Sequence, residues 1–245
     1  MLTKKDIIES FIAMGVTRGD VLVLQSSYKG CGEIENGPDG LIDALMELIG
    51  SEGTLIMPAY NLNTWTEQHY FDILETPSNV GIITEIFRKR KDVGRTCHPI
   101  HTLSVWGKLK AEFEALNYFS SFGEDSIFAR LMVYNAIYAT IGLGDKMPFL
   151  PCHYTEVLMN VPYRRIKDFA GIYLDKDRDA SLKVYSFHVR INQKDPVFAG
   201  HAYLIEKNLV KSYLKNEVVF CYARAKDYHQ YFMDFIKKFP ELFEA

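Results

Sequence analysis

Apolar and polar positions alternate between two periods along this chain. Between Lys4 and Met14 the apolar residues Ile7, Ile8, Phe11 and Ile12 recur at helical spacing, with Thr3 placed to cap the start and Gly15 to stop the end. The run VLVLQSS from Val21 is short, apolar and rich in β-branched residues, which predicts a buried strand. A glycine-rich turn follows, and Pro38 opens a helix whose apolar stripe is Leu41, Ile42, Leu45, Leu48 and Ile49. GTLIMPAY from Gly53 reads as the next buried strand. Strand, helix and strand at this spacing predict a βαβ unit and hence parallel pairing.

Further on, Asn61 to Thr76 has no clear period and is expected to be a long loop. A helical stripe runs through Val80, Ile83, Ile86 and Phe87, and TLSVWG has strand character. Lys108–Leu116 predicts a short helix, and FGEDSIFARLMVY another, capped by Asp125 or Ser126. NAIYATIGLG from Asn135 predicts a buried strand, and CHYTEVLMN a helix. From Tyr163 to Val197 the pattern alternates as antiparallel strands do. Short strands are expected within LIEKNLVKSYLKNEVVFCYA, and a helix over DYHQYFMDFIKKF. The sum is one α/β domain over 1–245: a three-layer α/β/α sandwich around a mostly parallel sheet, with a smaller, partly antiparallel C-terminal portion.

Composition narrows the function classes. The 245 residues are 48% hydrophobic, enough for a substantial core, and 28 basic against 31 acidic residues leave a net charge of −3. No basic excess points to nucleic acid. No apolar run is long enough to span a membrane, and no signal peptide is visible, so a cytoplasmic protein is expected. Cys31, Cys97, Cys152 and Cys221 are widely spaced without a CxxC pair, which suits reduced thiols. Charge is uneven: residues 1–150 carry 13 basic and 19 acidic side chains, residues 151–245 carry 15 and 12.

Three segments bear chemistry. SSYKGCG, after the first strand, brings small residues Ser26 and Ser27, then Tyr28 and Lys29, to the carboxyl end of a sheet, where backbone amides can approach a ligand; equally it is a tight turn. RTCHPIHTLS sets His98 and His101 three residues apart, with Arg95 before them and the hydroxyls of Thr102 and Ser104 after. These imidazoles fit a cofactor wall, a core packing role or a paired metal site, although a third metal ligand with suitable spacing is missing. CHYTE puts His153 and Glu156 at i and i+3, on one helix face. A carboxylate there fixes the tautomer of the imidazole and raises its basicity, as a general base acting on an ammonium requires. Cys152 adjoins His153 as an alternative nucleophile.

Taken in order, GDVLVLQSSYKGCG, GPDGLIDALMELIGSEGTLIMPAY, TPSNVGIITEIFR, RTCHPIHTLSVWG, FGEDSIFARL, IGLG and CHYTEVLMNVPYR resemble the aminoglycoside 3-N-acetyltransferase family, antibiotic N-acetyltransferases outside the GNAT fold. The likeness weakens after Arg165, so 165–245 is the more divergent portion. The resemblance implies acetyl-CoA as co-substrate, an amine acceptor, direct transfer without a metal, and His153 as general base supported by Glu156 or by Asp195. It implies that Ser26, Ser27, Tyr28, Lys29, His98, His101, Thr102 and Ser104 line the coenzyme A channel, with Arg95 on its phosphates. Tyr60, Asn61, Arg164 and Arg165 are expected on the acceptor side. Gln25 and Thr102 stand where the family commonly has histidine and serine. Because the net charge is small and the second part is basic, a nucleotide-linked or other biosynthetic amino sugar is the expected acceptor, with Arg164, Arg165 or Lys167 toward its phosphates. The alternatives are an aminoglycoside, as in antibiotic resistance, transfer of another acyl group, or an inactive CoA- or sugar-binding module. A small-molecule acceptor, no nucleic-acid or membrane partner and a homodimer complete the expectations.

Overall fold

The computed structural model describes residues 1–145, 147–193 and 195–244. The chain opens with α1 (Lys4–Ala13), β1 (Val21–Ser26), a single helical turn α2 (Tyr28–Cys31), α3 (Gly37–Ile49) and β2 (Thr54–Pro58). Thr3 starts α1 through a reciprocal capping box with Asp6. β1 and β2 pair in parallel, with Leu22 opposite Leu55, so the predicted βαβ unit is present.

The 61–76 segment is more ordered than its pattern suggests: it holds α4 (Leu62–Thr66) and β3 (Tyr70–Asp72). After it come α5 (Ile82–Arg88), β4 (Gly94–Arg95), β5 (Leu103–Gly107), α6 (Lys110–Ala115), α7 (Ile127–Val133), β6 (Ile137–Ile141) and α8 (Cys152–Leu158). Ser126, not Asp125, caps α7, its side chain accepting from the Ala129 amide. The last part contains β7 (Arg164–Leu174), β8 (Ala180–Arg190), α9 (Val197–Glu206), β9 (Lys211–Lys215), β10 (Val218–Arg224) and α10 (Ala225–Lys238). Leu204 to Glu206, expected in a strand, close α9 instead.

Among the described residues the main sheet runs β4-β5-β2-β1-β6-β10-β9. Its centre, β2-β1-β6, is parallel, and β5 and β10 flank that centre antiparallel. Alternate residues of β1 serve opposite layers. Leu22 and Leu24 join the core under α1, α3 and α5, while Val23 joins the core under α6, α7, α8 and α10. This is the expected α/β/α arrangement. A second sheet, β3-β7-β8, carries the antiparallel β7–β8 hairpin anticipated after Tyr163. One face of it, carrying Phe71, Tyr173 and Tyr185, closes on Trp65 and Ile100. No described helix is long and apolar enough to cross a membrane.

The carboxyl ends of β1, β2 and β6 meet on one edge, the place where open α/β sheets hold ligands. There Ser27 donates its amide to the Ile141 carbonyl at 3.0 Å. Gly30 is forced by this approach: a Cβ on it would lie 1.7 Å from the Gly142 oxygen.

Candidate active site

α8 starts right after Pro151 and presents His153 and Glu156 on the same side, one turn apart. His153 Nδ1 lies 2.7 Å from Glu156 Oε2. Glu156 is fully buried and its Oε1 finds no hydrogen-bond partner, so the carboxyl group depends on what meets Oε2. That partner is Arg164, at the start of β7, whose Nε donates to Oε2 at 2.8 Å. Its Nη1 also donates to the His188 carbonyl at 2.9 Å, tying the pair to β8.

Arg164 Nη2 is also 2.9 Å from His153 Nδ1, and this creates a choice. A guanidinium only donates. If Nδ1 accepts from Arg164, its lone pair faces a carboxylate lone pair at 2.7 Å, which is repulsive. If Nδ1 carries the proton, Glu156 accepts it in a charge-assisted bond, and Arg164 Nη2 gives its hydrogen to the same Oε2, 2.8 Å away, rather than to Nδ1. The second state wins on charge. It leaves the Nε2 lone pair to the cavity that His153 lines, the tautomer a general base needs.

That cavity holds about 290 Å³ and is bounded by Tyr60, His101, Leu150, Phe187, Arg190 and Asp195 as well as His153 and Arg164. Tyr60 packs edge-on against His101 at 5.4 Å, and Phe122 against His153 at 6.0 Å. Burial drives His101 well below the usual histidine range, helped by neighbouring His98, His153 and Arg164, so it forms a neutral wall. Tyr60 is likewise held as the neutral phenol, burial pushing it up to about 12. Asp195 lies in the same cavity but pairs with Arg190 at 2.7 Å, which leaves Glu156 as the carboxylate bonded to His153.

Tyr60 also borders a second cavity of about 140 Å³, lined by Gln25, Ser26, Pro58, Val80 and Thr84. Ser26 Oγ is buried there without a partner. Gln25 Oε1 accepts from the Leu150 amide at 2.6 Å, joining the serine strand to the segment that leads into His153. Ser27 Oγ caps the short α2 by accepting from the Gly30 amide at 3.2 Å. With the Ser27 amide spent on Ile141 and the Gly30 amide on Ser27 Oγ, the Tyr28 and Lys29 amides stand in the first turn of α2, where the helix itself supplies no acceptor. Tyr28 is half-buried and Lys29 exposed.

Several sequence expectations are corrected by this geometry. Arg95 is 5% exposed, lies over the Phe71 ring, donates to the Ala59, Ile73 and Thr76 carbonyls and does not line the cavity that holds His153. His98 is buried between Tyr118 and Tyr185, bonds the Phe119 carbonyl and is pushed down to about 3 by burial; it supports the site from beneath. Thr102 donates to the Thr96 carbonyl at 2.8 Å, closing the loop that holds both histidines. Ser104 is buried within β5. Arg164 borders the cavity, with its Nε given to Glu156 and an Nη1 hydrogen to the His188 carbonyl. Asn61 accepts from Asn79 at 3.0 Å, and Arg165 is exposed, and neither lines the cavity. Cys152 is buried with its thiol pushed well up, which disfavours a nucleophilic thiolate.

Other contributors escaped sequence reasoning. Ser121 Oγ bonds His101 Nδ1 at 3.0 Å and reaches His98 at 3.3 Å. His229, on α10, joins Thr155 at 2.6 Å and Tyr138 at 2.9 Å, anchoring α8 from behind. No local pattern marks either; both depend on packing between distant elements. Among the described residues no three His, Cys, Asp or Glu side chains gather to hold a metal ion.

The profile of the aminoglycoside 3-N-acetyltransferase family matches residues 23–233. Aminoglycoside N(3)-acetyltransferase IV of Salmonella sp is 34% identical over 98 residues, 39% of this chain and 36% of that protein, so this match spans about a third of the relative. The SPbeta prophage-derived aminoglycoside N(3')-acetyltransferase-like protein YokD of Bacillus subtilis (strain 168) is 26% identical over 189 residues, 67% of each protein. Among solved structures, AAC-VIa bound to sisomicin superposes with a TM-score of 0.84 at 18% identity, covering 96% of this chain and 97% of that one. AAC-IIIb in binary complex with CoASH gives 0.83 at 16%, covering 96% of both. The chain belongs to the aminoglycoside 3-N-acetyltransferase family, a family of CoA-dependent N-acyltransferases.

Proposed function

We propose that this protein transfers the acetyl group of acetyl-CoA to a primary amine of an aminoglycoside-class amino sugar. One observation carries the reading: a histidine bonded at 2.7 Å to a buried carboxylate, its other nitrogen left to a cavity large enough for an amine-bearing ring. Glu156 holds the proton on Nδ1. Nε2 takes a proton from the acceptor ammonium, and the freed nitrogen attacks the thioester carbonyl carbon. Charge that develops on the carbonyl oxygen meets the Tyr28 and Lys29 amides. The carbon–sulfur bond breaks, and the CoA sulfur collects the proton from Nε2. The nitrogen sheds two protons in all, one to sulfur and one to solvent, and the ring returns neutral.

Ser26, on the 140 Å³ cavity, serves the acyl donor, and Tyr60 stands between donor and acceptor. Asp195, which borders the cavity, can meet a second ammonium of a polyamine acceptor with the oxygen not paired to Arg190. The expectation of a nucleotide-linked sugar came from the small net charge and the basic second part, with Arg164, Arg165 or Lys167 toward its phosphates. Arg164 gives its Nε to Glu156, and Lys167 lies over the Phe169 ring. Family membership therefore ranks the aminoglycoside first. The test mixes purified protein with acetyl-CoA and a panel of aminoglycosides and nucleotide-linked amino sugars. Release of free thiol with a product heavier by one acetyl group is expected for the aminoglycosides. Turnover confined to nucleotide-linked sugars would overturn the acceptor, and no thiol release with any amine would overturn the activity.

A further inference from the structure

We infer that a small monovalent anion of the halide class binds beside Arg95, in a cavity separate from the one that holds His153. Arg95 is 5% exposed and stands in no salt bridge among the described residues. Every nearby carboxylate is already matched. Glu85 pairs with Arg88 at 2.7 Å, Asp72 with Arg178 at 2.6 Å, and Glu114 with Lys176. The local balance is one buried positive charge in excess. Carbonyl oxygens of Ala59, Ile73 and Thr76 take up Nη1 and Nη2 but supply no charge, and Nε is left buried with no partner. An uncompensated buried cation is costly, and burial together with Arg88 presses Arg95 down to about 9.

The neighbouring space suits one small ion. A cavity of about 90 Å³ is lined by Arg95, Arg88, Lys176, Ile73, Val93 and Glu114. That volume admits a halide with a water or two. Three cations border it against one carboxylate, and that carboxylate is held by Lys176. The site also matters mechanically. The carbonyls that Arg95 grips belong to the two ends of the segment carrying Tyr60, so a bound anion would stiffen one wall of the acceptor cavity.

Crystals soaked in bromide should show an anomalous peak within hydrogen-bond distance of the Arg95 guanidinium. In solution, ³⁵Cl NMR of the full-length protein should show excess line broadening that saturates with protein and is displaced by bromide. The unfolding midpoint should rise with the logarithm of chloride concentration when ionic strength is fixed with gluconate. Arg95→Met should abolish the saturable broadening and the chloride-specific rise. Should that variant not fold, the ³⁵Cl titration of the unaltered protein decides alone. Absence of saturable broadening overturns the inference, and a bromide peak at molar soak without it marks occupancy at crystal concentration only, which overturns it too. Broadening that persists in folded Arg95→Met overturns it as well.

Discussion

His153 concentrates the chemistry in a single side chain, and its neighbours set how it behaves. Replacing it with alanine removes the base, and kcat should fall by ~10²-fold or more. Cys152→Ala, one position earlier, should keep most of the activity because that thiol is buried and protonated. Steady-state kinetics on both variants check the pair; the reverse ranking would move the nucleophile to sulfur. Arg164 makes a different demand. In Arg164→Met the carboxylate of Glu156 stays buried without its cation, a loss of about 3–5 kcal/mol of stability by the usual cost of breaking a buried pair. The double variant Arg164→Met/Glu156→Gln should regain part of that stability and none of the activity, since a neutral amide cannot hold an imidazolium. Urea unfolding together with turnover separates the two effects.

Single elements supply the next level of control. α2 is only one turn, and it stands so close to the end of β6 that Gly30 has no room for a side chain. Gly30→Ala should displace the serine turn and weaken acetyl-CoA binding, measured by calorimetry, while far-UV dichroism stays close to that of the parent. Unchanged affinity would remove the turn from the donor site. The strands and helices of the first half were legible in the sequence because each carries its own period and punctuation: Thr3 and Ser126 as caps, Pro38 inside a helix start, alternating faces in β1. The His153–Glu156 pair was legible because both partners share one helix. Arg164 was read on the acceptor side and does border that cavity, while its bond to Glu156 becomes visible only when the chain turns back after α8. β3 was hidden since it pairs with β7, about a hundred residues later, and α9 was hidden by a sequence apolar on nearly every side.

At the scale of the whole molecule, buried histidines make stability depend on pH. His98 and His229 are both held down to about 3 and His201 to about 4, with burial as the leading cause. In the unfolded chain these rings titrate at the ordinary value of about 6.5. Between those values the unfolded state binds protons that the folded state refuses, so stability falls as pH drops from about 6.5 toward 3. Above pH 6.5 the effect is absent. Denaturant midpoints taken from pH 8 to pH 5 should therefore decline before carboxylates such as Glu85, held down to about 2, begin to protonate. His229→Gln should flatten that slope, and an unaltered slope would assign it to other groups.

The bond from the Leu150 amide to Gln25 Oε1 has a consequence for redesign. It straps the donor berth to the proton acceptor, so lengthening or shortening the intervening chain would shift both halves of the reaction centre together. A library that varies the stretch from 142 to 150 should lose turnover in an all-or-nothing manner, whereas one that varies the outer wall at Tyr60 and Leu62 should yield graded changes in which amines are accepted.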